Sequence, residues 1–144
     1  MLKAVLLTAS ALAAPVDVAY DNFDEIVTNR GDTPVFVKFF APWCPHCQAL
    51  APTWEEFADK TDDVIVAQVD CTDETLGGGR QLCQSVGIRG YPTLIYYPST
   101  SDEASKEFYY YNGARTLEAF EVFAHDYGYM PFKDRMWRGI KNWW

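Results

Sequence analysis

Positive charge is scarce in this chain. Only 12 lysines and arginines stand against 20 aspartates and glutamates, a formal charge of −8, and a surface this acidic disfavours nucleic acid as a partner. Long apolar runs are also lacking: the best candidate, Ala4 to Leu12, falls well short of the roughly 20 residues that span a bilayer as a helix. There is no internal repeat and no low-complexity stretch. What remains is a chain of 144 residues, 49% of them apolar, which is the size and composition of one globular domain.

The N-terminus reads as an address. Lys3 supplies a short basic region, Ala4 to Leu12 an apolar one, and Ala11-Leu12-Ala13 a small-x-small cleavage pattern, the organisation of a secretory signal over residues 1–13. An apolar first helix is the competing reading of the same residues. With cleavage, the globular part runs from Ala14 to Gly128 and is strongly acidic, whereas Tyr129 to Trp144 is a basic, aromatic tail in which Lys133, Arg135, Arg138 and Lys141 face Asp134 alone. Export permits disulfides, so the four cysteines read first as redox or structural thiols.

Periodicity outlines the domain. Asp21 to Asn29 places Phe23, Ile26 and Val27 at helical spacing behind a capping Asp, with Gly31 as the stop. Pro34 to Phe40 is a nearly unbroken apolar run, the pattern of a strand covered on both faces. Gln48 to Lys60 carries Leu50, Trp54 and Phe57 on one helical stripe, with a kink expected at Pro52. Val64 to Cys71 reads as a second buried strand, Gly77 to Gly79 as a loop, and Arg80 to Val86 as a short helix. Thr93 to Tyr97 and Glu107 to Tyr111 form a hairpin across Pro98 to Asp102, and Thr116 to Asp126 is a closing helix. This order predicts an α/β fold with a mixed central sheet and helices on both faces, its chemistry at the strand ends.

Cys44-Pro45-His46-Cys47 follows directly from a buried strand and opens a helix. Free backbone N–H groups and the positive end of the helix dipole stabilise a thiolate there, and the thiolate is the nucleophile in disulfide exchange. The two-residue spacer lets the sulfurs close on each other. Cys44, the more exposed, is the expected attacking thiol, and Cys47, one turn into the helix, the resolving one. His46 can add positive charge beside the thiolate when protonated, or it is a solvated spacer. A zinc site would need Cys71 and Cys83 as further ligands, and their twelve-residue separation is not that of a ribbon.

Two segments, Phe36 to Trp54 (FVKFFAPWCPHCQALAPTW) and Gly87 to Leu94 (GIRGYPTL), make the chain resemble a catalytic domain of the protein disulfide isomerase family. The likeness extends from about Val18 to Asp126 and includes Tyr111 to Leu117. It is strongest to thioredoxin-domain proteins of the endoplasmic reticulum. The resemblance implies a thioredoxin-like fold, no metal and no cofactor. It implies Cys44 as nucleophile and Cys47 as resolving thiol, with Pro92 as a cis-proline facing them, although an ordinary trans turn is the reading of the residues alone. Tyr91 would offer its backbone to an extended substrate, Trp43 would flank the site, and Arg89 would approach it and tune the second cysteine. Relatives with paired cysteines imply a structural disulfide between Cys71 and Cys83, against two free buried thiols.

Two positions depart from the family. Pro45 replaces the usual glycine, and the spacer then resembles that of the strongly oxidising bacterial periplasmic oxidase, whose thiolate pKa is about 3.5 and potential about −120 mV. Lys38 stands where many members bury an acid. As a cation it would favour thiolate, and with a depressed pKa it could carry a proton.

The expected function is therefore oxidation or rearrangement of disulfides in unfolded or cysteine-containing proteins, in the endoplasmic reticulum lumen or after secretion. The alternative is a chaperone or adaptor with a vestigial pair. No retention tetrapeptide of the Lys-Asp-Glu-Leu type ends the sequence, so retention by that signal is not expected. In the tail, Phe132, Met136, Trp137, Ile140, Trp143 and Trp144 fall on one side of a helical wheel opposite basic residues, a composition suited to weak contact with an anionic membrane surface; a tail packed on its own acidic domain, or a disordered one, is the competing reading of the same residues.

Overall fold

The computed structural model describes residues 13–100 and 108–129; residues 1–12 of the expected signal, residues 101–107 with the second half of the hairpin turn, and the basic tail from residue 130 lie outside them. The elements follow in the order β1 (Val16–Asp17), a π-helical turn (Asp24–Thr28), β2 (Val35–Phe40), α1 (Pro45–Lys60), β3 (Ile65–Asp70), α2 (Gly79–Val86), β4 (Thr93–Tyr97), β5 (Tyr109–Tyr110) and α3 (Leu117–Tyr129). The sheet order is β1-β3-β2-β4-β5. β1 and β2 both run parallel to β3, whereas β4 is antiparallel to β2 and to β5. The fold is thus a thioredoxin-like α/β sandwich with a mixed sheet.

β2 is central because its side chains are apolar on both faces. Val35, Val37 and Phe39 join Ala67, Val69, Ile95, Leu82 and Val27 in one core layer under α2 and the π-helical turn. Phe36 points the other way, into a layer with Leu50, Trp54 and Phe57 of α1 and Phe120 of α3. Rings of Trp54, Phe57, Tyr96, Tyr111, Phe120 and Phe123 all lie within 6.1 Å of the Phe36 ring, centroid to centroid. Edge-on aromatic pairs add about 0.5–1.5 kcal/mol each beyond area burial, so Phe36 pins the sheet to α3 and to α1, the helix that carries the cysteine pair. Trp54 also donates its indole N–H to the Ala67 carbonyl at 3.1 Å, which fixes α1 against β3.

α1 runs unbroken from Pro45 through Pro52 to Lys60. Pro52 is exposed, so the Gln48 carbonyl that loses its helical partner faces water. On the opposite layer, α2 is tied to the end of β3 by the Cys71–Cys83 disulfide, with Cα atoms 5.6 Å apart. The glycine that opens α2 permits that approach: a Cβ at Gly79 would collide with the Asp70 carbonyl oxygen.

Three local expectations need correction. The capping role given to Asp21 fails, because the turn starts at Asp24 after Phe23 and has no side-chain cap. Asp21 instead lies against Gly77, whose missing Cβ leaves room for its carboxylate. The first helix is consequently shorter than Asp21 to Asn29. The short edge strand β1 was not anticipated. Finally, α1 begins at Pro45, three residues before Gln48, so that Cys44 caps it and Cys47 lies in its first turn.

Candidate active site

Cys44 is the N-cap residue of α1, in extended conformation (φ −77°, ψ 122°), and Pro45 occupies the first helical turn with its fixed φ. The Cys44 amide donates to the Ala41 carbonyl at 3.1 Å, and its own carbonyl accepts from Gln48 at 3.0 Å. These bonds set the sulfur at the mouth of the helix. Both cysteines are free thiols, packed with Ala41, Phe40 and Tyr91.

The two thiols are driven apart in acidity. The backbone amide of Cys47, first, pushes the Cys44 pKa down, with burial opposing; the Cys47 thiol, the His46 amide and the Arg115 charge add to the lowering. Burial, first, pushes the Cys47 pKa up, and the hydrogen bond and charge of Cys44 add to it, whereas the Ala41 backbone and Lys38 oppose. Free amides of the first helical turn explain the difference: they reach the N-cap sulfur and not one inside the helix.

The sulfur of Cys44 also contacts the loop before β4. Its Sγ–H donates to the Tyr91 carbonyl at 3.6 Å, and the Tyr91–Pro92 peptide bond is cis. Trp43 is 67% exposed, and its ring meets that of Tyr91 edge-on at 6.0 Å. It therefore flanks the site at the surface and does not belong to the core. Lys38 is only 3% exposed. Its ammonium sits 4.8 Å from the centre of the Phe40 ring, and burial pushes its pKa down while Cys47, Glu55 and Asp17 pull it back.

Among the leading influences on the pair, the His46 amide and the Arg115 charge lower the Cys44 pKa, and Lys38 lowers that of Cys47. Sequence reading missed Arg115. The signal was topological: β5 runs antiparallel to β4, and the Tyr111 amide bonds to the Leu94 carbonyl at 2.9 Å. The turn after β5 therefore returns to the Pro92 end of β4, next to the cysteines.

Residues 14–126 match the thioredoxin family. The chain belongs to that family. Among curated relatives, it is 38% identical over 121 residues to the protein disulfide-isomerase-like protein EhSep2 of Emiliania huxleyi, covering 82% of this chain and 50% of that one. It is 40% identical over 121 residues to the protein disulfide-isomerase tigA of Aspergillus niger, covering 81% of this chain and 31% of the relative. Among solved structures, the Trx4 domain of ERdj5 superposes with a TM-score of 0.66 at 30% identity, covering 78% of this chain and 94% of that domain. Full-length ERdj5 gives a TM-score of 0.70 at 27% identity, over 81% of this chain and 16% of the other. The chain thus spans half or less of the length of these curated relatives.

Proposed function

We propose that this chain is a thiol–disulfide oxidoreductase that forms or rearranges disulfides in cysteine-containing proteins of the secretory pathway, within the endoplasmic reticulum lumen. The observation that carries the reading is the opposed acidity of the pair: an N-cap Cys44 pushed towards thiolate, above a Cys47 held towards thiol. The names of the relatives and the signal-like residues 1–13 support the activity and the compartment.

In the oxidising direction, a substrate thiolate attacks Sγ of Cys44 in the Cys44–Cys47 disulfide. The sulfur–sulfur bond breaks, and Cys47 leaves with the electron pair and takes up a proton. A second substrate thiolate then attacks the substrate sulfur of the mixed disulfide and expels Cys44. The substrate is oxidised to its disulfide and the pair is reduced to the dithiol. A low pKa makes Cys44 a good leaving group and stabilises the reduced form, which favours oxidation of substrates. Isomerisation uses the same attack starting from the Cys44 thiolate and returns it at the end. Tyr91 and Pro92 border the sulfur and present backbone to an extended substrate.

Refolding of a reduced, multi-disulfide protein in a glutathione buffer tests the reading. The wild-type chain should accelerate recovery of native disulfides, and Cys44→Ala should not. Equal acceleration by both would mean a chaperone that binds without exchanging disulfides.

A further inference from the structure

Beside the cysteine pair lies a groove of roughly 660 Å³, bounded by the loop before β4 and the turn after β5. That volume falls within the range of about 300–1,000 Å³ typical of ligand sites. Its lining includes Arg89, Pro92, Tyr110, Asn112 and Arg115, and no acidic residue. Pro92 joins it directly to Tyr91, whose carbonyl accepts the Cys44 thiol proton.

The charge of this groove is anomalous for the protein. Among the described residues, Lys60 pairs with Glu56 and Arg80 with Glu74. Arg30 donates to the carbonyls of Pro98 and Val27, and Lys38 is buried. The remaining cations, Arg89 and Arg115, both line this groove, and both are exposed. A chain with a formal charge of −8 thus holds the two uncommitted guanidinium groups of its described residues in one concavity beside its reactive sulfur. Guanidinium forks match carboxylates in a planar, two-bond geometry, and a concave site of one sign concentrates ligands of the other.

We propose that this groove receives acidic residues flanking the cysteine of an extended polypeptide substrate, so that Arg89 and Arg115 select Asp- or Glu-rich segments for exchange at Cys44. The inference rests on the oxidoreductase reading for its catalytic consequence, but the groove binds such a segment whether or not exchange follows. Neither Tyr110 nor Asn112 contributes charge; both offer side-chain groups suited to an extended peptide. Arg115 also lowers the Cys44 pKa, so a carboxylate bound on it would weaken that effect in the complex.

The test uses the full chain and three peptides that differ only in the residues flanking a cysteine pair: Glu, Gln or Lys. Binding is measured by calorimetry with serine in place of cysteine, and kcat/KM for oxidation with the cysteine forms. On the wild-type chain, the Glu peptide should exceed the Gln peptide by roughly three- to tenfold in both measures, with Lys below Gln. Arg89→Glu should invert the order of Glu and Lys, and Arg89→Lys should keep the order with a smaller ratio. Charge reversal, not added salt, is the deciding perturbation, because salt also relieves repulsion from the acidic body. Equal binding of the Glu and Lys peptides, or an order unmoved by Arg89→Glu in a variant with unchanged thermal stability, overturns the proposal. Selective binding of the Glu peptide without oxidation of any peptide would uphold the groove and refute the oxidoreductase reading instead.

Discussion

Replacing Lys38 by Met removes a charge from the core while keeping the length of the side chain. Lys38 is 3% exposed, on the middle of the central strand, opposite Gln68 of β3 and Leu94 of β4. Burial, the leading cause, holds its pKa below the usual lysine value, against the pull of Cys47, Glu55 and Asp17. The Phe40 ring at 4.8 Å returns about 2 kcal/mol or less of the desolvation. Exchanging buried ionic groups for apolar ones of similar volume gains about 1–4 kcal/mol in other proteins. Lys38→Met should therefore stabilise the oxidised protein at pH 7 by about 1–2 kcal/mol. The sign with pH follows from linkage. A lysine with a folded pKa below its unfolded value of about 10.4 binds fewer protons when folded, so wild-type stability rises as pH climbs from the folded to the unfolded pKa. The advantage of the variant should shrink across that window and vanish above it. Urea denaturation of the oxidised forms, in which neither Cys44 nor Cys47 titrates, measures the difference directly. A less stable variant at pH 7, or a difference constant to pH 10.5, would refute the account of Lys38. Loss of the cation should also slow resolution of mixed disulfides, since Lys38 favours the Cys47 thiolate.

Other consequences follow from the same geometry. In the reduced protein, iodoacetamide should modify Cys44 well below the pH at which a free thiol, about 3% ionised at pH 7 and about 0.1% at pH 5.5, still reacts. Cys47 should lag behind, and parallel pH profiles for the two would contradict the opposed shifts. Removing the Cys71–Cys83 bridge by a double substitution to alanine opens a loop with a sequence separation of 12, for which chain entropy gives a loss of about 3 kcal/mol in denaturant unfolding. The Cys44/Cys47 potential should barely move in that variant. Pro45→Gly should make the pair less oxidising in glutathione buffers, where about 30 mV corresponds to 1.4 kcal/mol; an unchanged or higher potential would remove the role given to Pro45.

The sequence disclosed most where a residue's burial is dictated on both sides. Val35 to Phe40 could only be a central strand, because a run apolar at every position but Lys38 has no face to give to water, and the cysteine motif after it had to meet a helix N-terminus. Thr93 to Tyr97 was legible as a short strand closed by the polar turn that begins at Pro98. Less was legible where long-range contacts decide. β1 is two residues long and exposes Val16, so it has no period to detect and exists only because β3 offers an edge. Asp21 resembled a cap, but its place is set by Gly77, far away in sequence. Arg89 and Arg115 could not be told apart by local pattern. That Arg115 acts on Cys44 depends on the antiparallel return of β5 along β4, a pairing no single segment encodes. The acidity gap between the cysteines was readable in direction from helix position alone, whereas the reach of Lys38 to Cys47 needed the packing of α1 on the sheet.

The most direct test of the central claim is capture of the exchange intermediate. The full chain carrying Cys47→Ala, incubated with a peptide disulfide and quenched in acid, should yield a single mixed disulfide on Cys44, identified by peptide mass spectrometry and released by dithiothreitol. Cys44→Ala should capture little or nothing, because the Cys47 thiol is held towards its protonated form. Absence of an adduct on Cys44, or equal adducts in the two variants, would contradict the assignment of Cys44 as the nucleophile and with it the proposed chemistry.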